Sequence, residues 1–188
     1  MELELEIAIG ERIRGLRAQR GLTLDELAAA SAVSRAMISR IERAEVSPTA
    51  SLLSRLCVAL DLSLSAFFAD GTDASPLSRR EEQAVWRDPE TGYLRRAVSS
   101  PATSSRVDVV EVELPAEARV SFPPNTASRA MTQHVWLFDG LLNMTVGATV
   151  HHLQSGDCLF MPVGDGNVFH NPGPRPARYC VVLDRGRP

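Results

Sequence analysis

The sequence predicts an α+β chain built as two domains, and three observations carry that prediction. Over the first seventy residues Leu, Ala, Arg and Glu recur at helical spacing, whereas over the last ninety Val, Pro and Gly frame short alternating runs. Between them ADGTDASPLSRR, residues 69–80, is polar and has no apolar periodicity. A length of 188 residues suits two small domains, expected as a helical domain over 1–68, a linker over 69–84 and a strand-rich domain over 85–188.

In the helical domain IGERIRGLRAQRG sets Ile9, Ile13 and Leu16 on one face, with Arg12, Arg14, Arg17 and Arg20 off it and Gly21 ending the helix. TLDELAAA follows with Thr23 and Glu26 at capping-box spacing, so a short second helix begins there. Ser31 to Val33 make a tight connection. Ser34 is the expected N-cap of a third helix, RAMISRIERA, whose Ile38 and Ile41 face inward with Val33 and leave Arg35, Ala36, Ser39 and Arg40 outward. Pro48 is expected to open a fourth helix with Leu52, Leu53, Leu56 and Leu60 on one face, and Ser63 a short fifth with Leu64, Phe67 and Phe68.

Two short helices joined by a tight turn, the second presenting small and arginine side chains at its N-terminal end, suit the major groove of DNA. A helix fits that groove, Arg and Ser reach base edges, and further arginines meet phosphates. The stretch TLDELAAASAVSRAMISRIERAEVSPTASLLSRLCVALDLSLSAFF resembles the lambda-repressor-like, or XRE-type, helix-turn-helix family, and with the helix before it the resemblance covers five helices. It implies that Thr23 to Ala30 is a positioning helix and Ser34 to Arg43 the recognition helix. It implies Arg35, Ala36, Ser39 and Arg40 at base edges, with Thr23, Ser34 and Arg43 on phosphates. The chain departs from the family at two turns, holding Ala32 and Ala44 where glycine is usual. A left-handed alanine costs roughly 1–2 kcal/mol, so adjusted turns are expected there.

EEQAVWRDPETGY after the linker carries Trp86, which sequence alone assigns to neither domain. Nine strands are expected beyond it: YLRRAV, RVDVVEVEL, ARVSF, QHVWLF, LLNMTVG, TVHHL, CLFMP, NVFHN and RYCVVLD, parted by Pro, Gly, Asp and Asn turns. Nine short strands at this spacing imply a β-sandwich or jelly roll.

This half resembles the cupin superfamily, a jelly-roll β-barrel, through its second motif. Gly156, Pro162, Gly164 and Asn171 fall at that motif's spacing, but Asn167 stands in its histidine slot. The first motif, aligned on Gly140, puts its carboxylate slot at Gln133 and its histidine slots at Ala127 and Arg129, or at Thr126 and Ser128. Neutral amides are poor ligands for a transition metal, so no metal and no other cofactor is expected. The glycines and the proline persist because they serve turns. His134 and His170 sit at odd offsets from Gln133 and Asn167 and are expected on the opposite sheet face, and of His151 and His152 only one can point inward. What remains is an apolar interior of Val135, Leu137, Phe169, Met161 and Met144 with Gln133, Asn167 and Arg129 as its polar groups. That pattern predicts a small-ligand site at Arg129, Gln133, Met161, Asn167 and Phe169, with Arg129 favouring an anionic effector.

The net charge of −3 gives no global signal for nucleic acid or an anionic membrane, although residues 7–68 hold eight arginines against six acidic residues. Cys57, Cys158 and Cys180 are odd in number and lack zinc spacing, which fits inert core thiols in a reducing cytoplasm. No long apolar stretch suits a membrane span, and MELELEIAIGE lacks the positive flank of a signal peptide. The expectation is a cytoplasmic transcription regulator: a homodimer on a palindromic double-stranded operator, with a cupin-like domain that senses a small molecule and pairs subunits. Two rivals accompany it. Hydroxypropylphosphonate epoxidases resemble the layout but need a two-histidine, one-carboxylate iron site, and a cupin half that only dimerises would need no effector.

Overall fold

A computed structural model describes residues 2–68, 75–100, 103, 105–125 and 130–186. The helical unit comprises α1 (Glu2–Gln19), α2 (Leu24–Ser31), α3 (Arg35–Glu42), α4 (Ala50–Ala59) and α5 (Leu64–Phe68). Helix α1 starts about two turns earlier than expected, so the glutamates of ELELE continue the helix rather than precede it. Thr23 and Glu26 form the predicted capping box: Thr23 Oγ1 accepts from Glu26 N–H at 3.2 Å, and Glu26 Oε2 accepts from Thr23 N–H at 2.7 Å. Ser34 caps α3 by accepting from Met37 N–H at 3.2 Å. The fourth helix corrects the expectation. Thr49, not Pro48, sets its start, accepting from Leu52 N–H at 3.2 Å, because a hydroxyl can satisfy an orphan amide and a proline ring cannot.

Ile9, Ile13, Leu27, Ile38, Leu53 and Leu56 fill the bundle and are buried. Helices α1 and α3 touch so closely that a Cβ at Gly10 would lie 2.5 Å from the Ile41 carbonyl oxygen. The same pair is clamped by Arg17, whose Nε and Nη2 donate to Glu42 Oε1 and Oε2 at 2.7 and 2.9 Å. A third bond, Arg17 Nη1 to the Leu22 carbonyl at 2.9 Å, ties the end of α1 to the approach to α2. The two glycine-poor turns are not adjusted: Ala32 and Ala44 hold φ of 53° and 55°, in the left-handed region.

Among the described residues ten strands follow rather than nine. They are β1 (Val85–Arg87), β2 (Leu94–Ala97), β3 (Val107–Leu114), β4 (Arg119–Phe122), β5 (Thr132–Asp139), β6 (Leu141–Val146), β7 (Thr149–Gln154), β8 (Cys158–Pro162), β9 (Asn167–His170) and β10 (Ala177–Asp184). They form an antiparallel sandwich of a six-stranded sheet, β1-β2-β3-β10-β5-β8, on a four-stranded sheet, β4-β9-β6-β7. Period-two burial runs through β3, where Val110, Val112 and Leu114 face inward, and through β5, where Gln133, Val135 and Leu137 do. Phe169 of β9 stacks on Tyr179 of β10 with ring centroids 5.6 Å apart, joining the two sheets. Gly140 turns β5 into β6 at φ 91°, where a Cβ would lie 2.9 Å from Ala177 Cα.

The added strand β1 settles the place of Trp86. Its ring lies 5.7 Å from that of Phe68 on α5 and 6.3 Å from that of Tyr93 beside β2, so it packs on both units. Asp88, just past β1, accepts from the Ala50 N–H at 2.8 Å and so satisfies the amino end of α4 from the other unit. Asn125 Nδ2 donates to the Leu62 carbonyl at 3.0 Å. Apolar residues of both units form one continuous buried cluster.

Candidate functional site

The first site is the face of α3. The capped start at Ser34 leaves Ser34, Arg35, Ala36, Arg40 and Arg43 exposed and Ser39 half-buried, while Ile38 and Ile41 anchor the opposite side. Thr23, on the approach to α2, is exposed as well. The charges here are held in acidic company. Arg35 Nε lies 3.3 Å from Asp25 Oδ1, and Arg43 donates through Nε and Nη2 to Glu45 at 2.7 and 3.1 Å. Arg43 also bonds the Ser39 hydroxyl, and Arg40 Nε stands 3.9 Å from Glu45. The hydrogen bond from Arg43, aided by Arg40, holds the Glu45 carboxyl below its ordinary range. Such solvent-exposed pairs are weak and easily exchanged for phosphate oxygens. The geometry therefore offers a short convex row of Arg, Ser and Ala side chains on a rigid, clamped helix.

The second site lies where the two units meet. A cavity of about 100 Å³ opens there. Its walls include three of the sequence-derived residues, Gln133 of β5 and Asn167 and Phe169 of β9. Met161 is buried opposite Gln133 on β8 but is not a wall of this cavity, which Met131 closes instead. Arg129 lies outside the described residues, as do the first-motif slots 126–128. Gln133 and Asn167 are 6% and 7% exposed, and Asn167 Oδ1 has no hydrogen-bond partner among the described residues.

Sequence reasoning missed the rest of the wall. Ser54 of α4, Ser63, and Leu64 of α5 contribute from the helical unit, and Arg95 of β2 from the sheet unit. Arg95 is 6% exposed, and its guanidinium lies 4.9 Å from the centroid of the Phe68 ring. Burial lowers its pKa from the ordinary arginine value, which still leaves it charged. The signal available in the sequence was the alternation of Tyr93 and Arg95, both buried, against Arg96, which turns outward to Glu111 at 3.2 Å.

His134 is exposed on the sheet face opposite Gln133, as its odd offset requires, and His170 is half-buried. His152 Nδ1 lies 2.7 Å from Asn143 Oδ1. Among the described residues no three His, Cys, Asp or Glu side chains converge as a metal site would need. The cysteines divide. Burial pushes the Cys57 thiol up to about 12, consistent with an inert core thiol, whereas Cys158 is exposed on β8 and not the core residue expected. Among the described residues no helix is long and apolar enough to cross a membrane.

Comparison with known proteins accords with this architecture. The family model HTH_3, described as helix-turn-helix, matches residues 13–67. The chain is 23% identical over 171 residues to the HTH-type transcriptional regulator SutR of Escherichia coli K12, covering 91% of each chain. It is 34% identical over 84 residues to the transcriptional regulator ClgR of Mycobacterium tuberculosis, covering 45% of this chain and 75% of that one. Among solved structures, an HTH_3 family transcriptional regulator from Vibrio cholerae superposes with a TM-score of 0.78 at 22% identity over 100% of both chains, which shows the same two-unit fold. With α2 and α3 in helix-turn-helix order and a two-sheet sandwich behind them, the chain belongs to the HTH_3, or XRE-type, family of DNA-binding transcriptional regulators.

Proposed function

We propose that the sheet unit, 85–188, is a metal-independent small-molecule sensor that adjusts how the helical unit, 1–68, meets operator DNA. The observation that carries the reading is the cavity at their junction, whose walls come from both units. A ligand there touches Ser54, Ser63 and Leu64 as well as Gln133 and Asn167, so its binding energy depends on how the units are placed. The two amides stand where a cupin metal would need a carboxylate and an imidazole, which favours binding without reaction over metal-dependent catalysis. Arg35, Ala36, Ser39 and Arg40 are the base-edge residues in this reading, and Thr23, Ser34 and Arg43 contact phosphate.

A palindromic operator calls for two copies with recognition helices about 34–36 Å apart or a multiple of it. The outer face of β5 and β8 offers the apolar surface for that pairing: Trp136, Phe138 and Phe160 are 49%, 42% and 59% exposed. Elemental analysis joined to native mass spectrometry, on protein purified without chelator, tests the whole reading. The expected result is a metal-free dimer carrying a small-molecule adduct. A stoichiometric transition metal moves an enzyme to the front, and a dimer that never acquires a ligand leaves the sheet unit a pairing module. Trp136→Ser with Phe160→Ser is expected to yield monomers by analytical ultracentrifugation.

A further inference from the structure

We infer that the junction cavity holds a small uncharged molecule, a short carboxamide or alcohol, that donates its N–H or O–H to Asn167 Oδ1 and meets Ser54 of α4 with its acceptor atom. This rests on the sensor reading above and gives that site a ligand class.

The anchor is Asn167. It opens β9, is 7% exposed and forms part of the cavity wall. Its Oδ1 is buried and has no hydrogen-bond partner among the described residues. Buried amide oxygens are almost always paired, and leaving one unmet costs free energy that a ligand N–H or O–H would recover. The strand ladder keeps the group in place. Phe122 of β4 pairs with Asn167 on one side and Val146 of β6 on the other, while Phe169, two residues on, faces the same interior.

The wall decides what kind of donor fits. A carboxylate has no proton to give Asn167, and its oxygens would face another acceptor. An ammonium can donate but would lose its hydration, and the described walls, which bring Ser, Tyr, Arg, Asn and Gln side chains, bring no carboxylate to replace it. Arg95, in the same wall, is engaged within the protein, its guanidinium 4.9 Å from the Phe68 ring centroid, and has no part in holding the ligand. An uncharged N–H or O–H is left.

The rest of the molecule is set by the other walls. Val110, Phe122, Met131, Val181 and Leu183 are apolar, so its body is hydrocarbon. A cavity of about 150 Å³ accommodates benzene, so one of about 100 Å³ suits roughly four to six non-hydrogen atoms. On the helical side Ser63 already caps α5, accepting from the Ala66 N–H at 3.0 Å, whereas Ser54 stands 7% exposed in the wall with a hydroxyl proton to offer. Asn167 belongs to the sheet unit and Ser54 to the helical unit. A ligand bonded to both therefore binds with an affinity that depends on how the units are placed.

The test is a chemical-shift titration of the full-length protein, a method suited to the weak binding of such small molecules. Butyramide is paired with its isomer N,N-dimethylacetamide, and butan-1-ol with its isomer methyl propyl ether, so that each pair differs in the donor at constant composition. Butyrate and butylammonium supply the charged comparisons. The expected result is that butyramide or butan-1-ol binds, while its isomer and both ions bind at least about tenfold more weakly. Asn167→Leu, of similar size and with a circular dichroism spectrum like wild type, is expected to bind donor and isomer within about twofold of each other. Ser54→Ala is expected to lose about three- to tenfold in affinity while keeping the discrimination between isomers. With a duplex recovered by the protein from a random pool, ligand and DNA are expected to change each other's affinity by one common factor.

An isomer that binds wild type as tightly as its donor partner overturns the ligand class, and this comparison needs no variant. Butyrate binding more tightly than butyramide, or no binding across the series, overturns it too. Discrimination that survives in Asn167→Leu overturns the anchor, and full affinity in Ser54→Ala removes α4 from the site. A charged native ligand found by mass spectrometry overturns the class while leaving the sensor reading standing. Binding as expected with a common factor of one does the reverse.

Discussion

The face of α3 draws its side chains from residues 34–43 and presents them to water, whereas the junction cavity gathers residues from 54 to 183 and buries its lining arginine to 6% exposure. The first is a local object, held by two caps and the Arg17–Glu42 clamp, with its exposed charges only weakly paired. The second exists only when two units are docked. Under the proposed function, specificity in the first would come from a few solvated side chains and in the second from desolvated groups whose pairing is worth far more. In the function proposed here the exposed surface meets DNA and the buried one takes the effector.

The largest test attacks the docking. Asp88→Ala removes a buried carboxylate that accepts three backbone N–H bonds, one of them from the start of α4. A loss of about 2–3 kcal/mol in urea unfolding is expected, together with the cavity's ligand response. A loss of stability with ligand response intact would show that the cavity does not depend on this contact. Next in size, Glu42→Ala opens the bidentate clamp on Arg17, with side chains 17% and 7% exposed. It is expected to cost about 1–3 kcal/mol by the same measurement and to weaken DNA binding without touching the cavity. If ligand binding fell as well, the two regions would not be as separable as their construction implies.

Comparable in size, but confined to DNA binding rather than stability, is the recognition face itself. Arg40→Ala is expected to weaken binding to a selected operator by about 1–3 kcal/mol while leaving random duplex nearly unchanged, measured by fluorescence anisotropy. Equal loss on both sequences would make Arg40 a phosphate contact. Arg43→Ala, by contrast, is expected to weaken both together and to lower the salt dependence by about one unit of slope.

What the sequence disclosed follows the same division. The Thr23–Glu26 box and the Ser34 cap are contacts between residues three apart, so their spelling is their geometry. Gln133 and Asn167 were found because two motifs with fixed turn spacing carry them, and Phe169 because it shares a strand face with Asn167 in the apolar interior. Three-residue β1 was missed because a strand that short exists only through its pairing with β2, Trp86 opposite Arg95. Arg95 was missed for a related reason. In YLRRAV Arg96 is half-buried and paired with Glu111 while Arg95 is buried against Phe68, and two adjacent arginines mask the alternation with Tyr93 that marks which one faces inward. The first turns of α1 were hidden by alternating glutamates that read as strand or coil until the helix behind them is known.

The smallest effect bears on the local region. Ala32 and Ala44 hold left-handed φ at the two turns that flank α3, and neither turn relaxes toward a geometry easier for alanine. Their conformation must therefore be imposed by what surrounds them: the α2 and α3 caps on one side, the Arg17–Glu42 clamp and the α1 contact on the other. Replacing Ala32 with glycine removes the Cβ cost of roughly 1 kcal/mol but adds backbone freedom to the unfolded chain, so the two terms oppose. Because Ala32 is exposed, its methyl group contributes little packing to lose. Ala32→Gly is thus expected to stabilise the protein by a few tenths of a kcal/mol, up to about 1, with no change in the cavity's ligand affinity. A destabilised variant would mean that this turn contributes rigidity to the placement of α3 that glycine cannot supply, and Ala44→Gly should then behave alike.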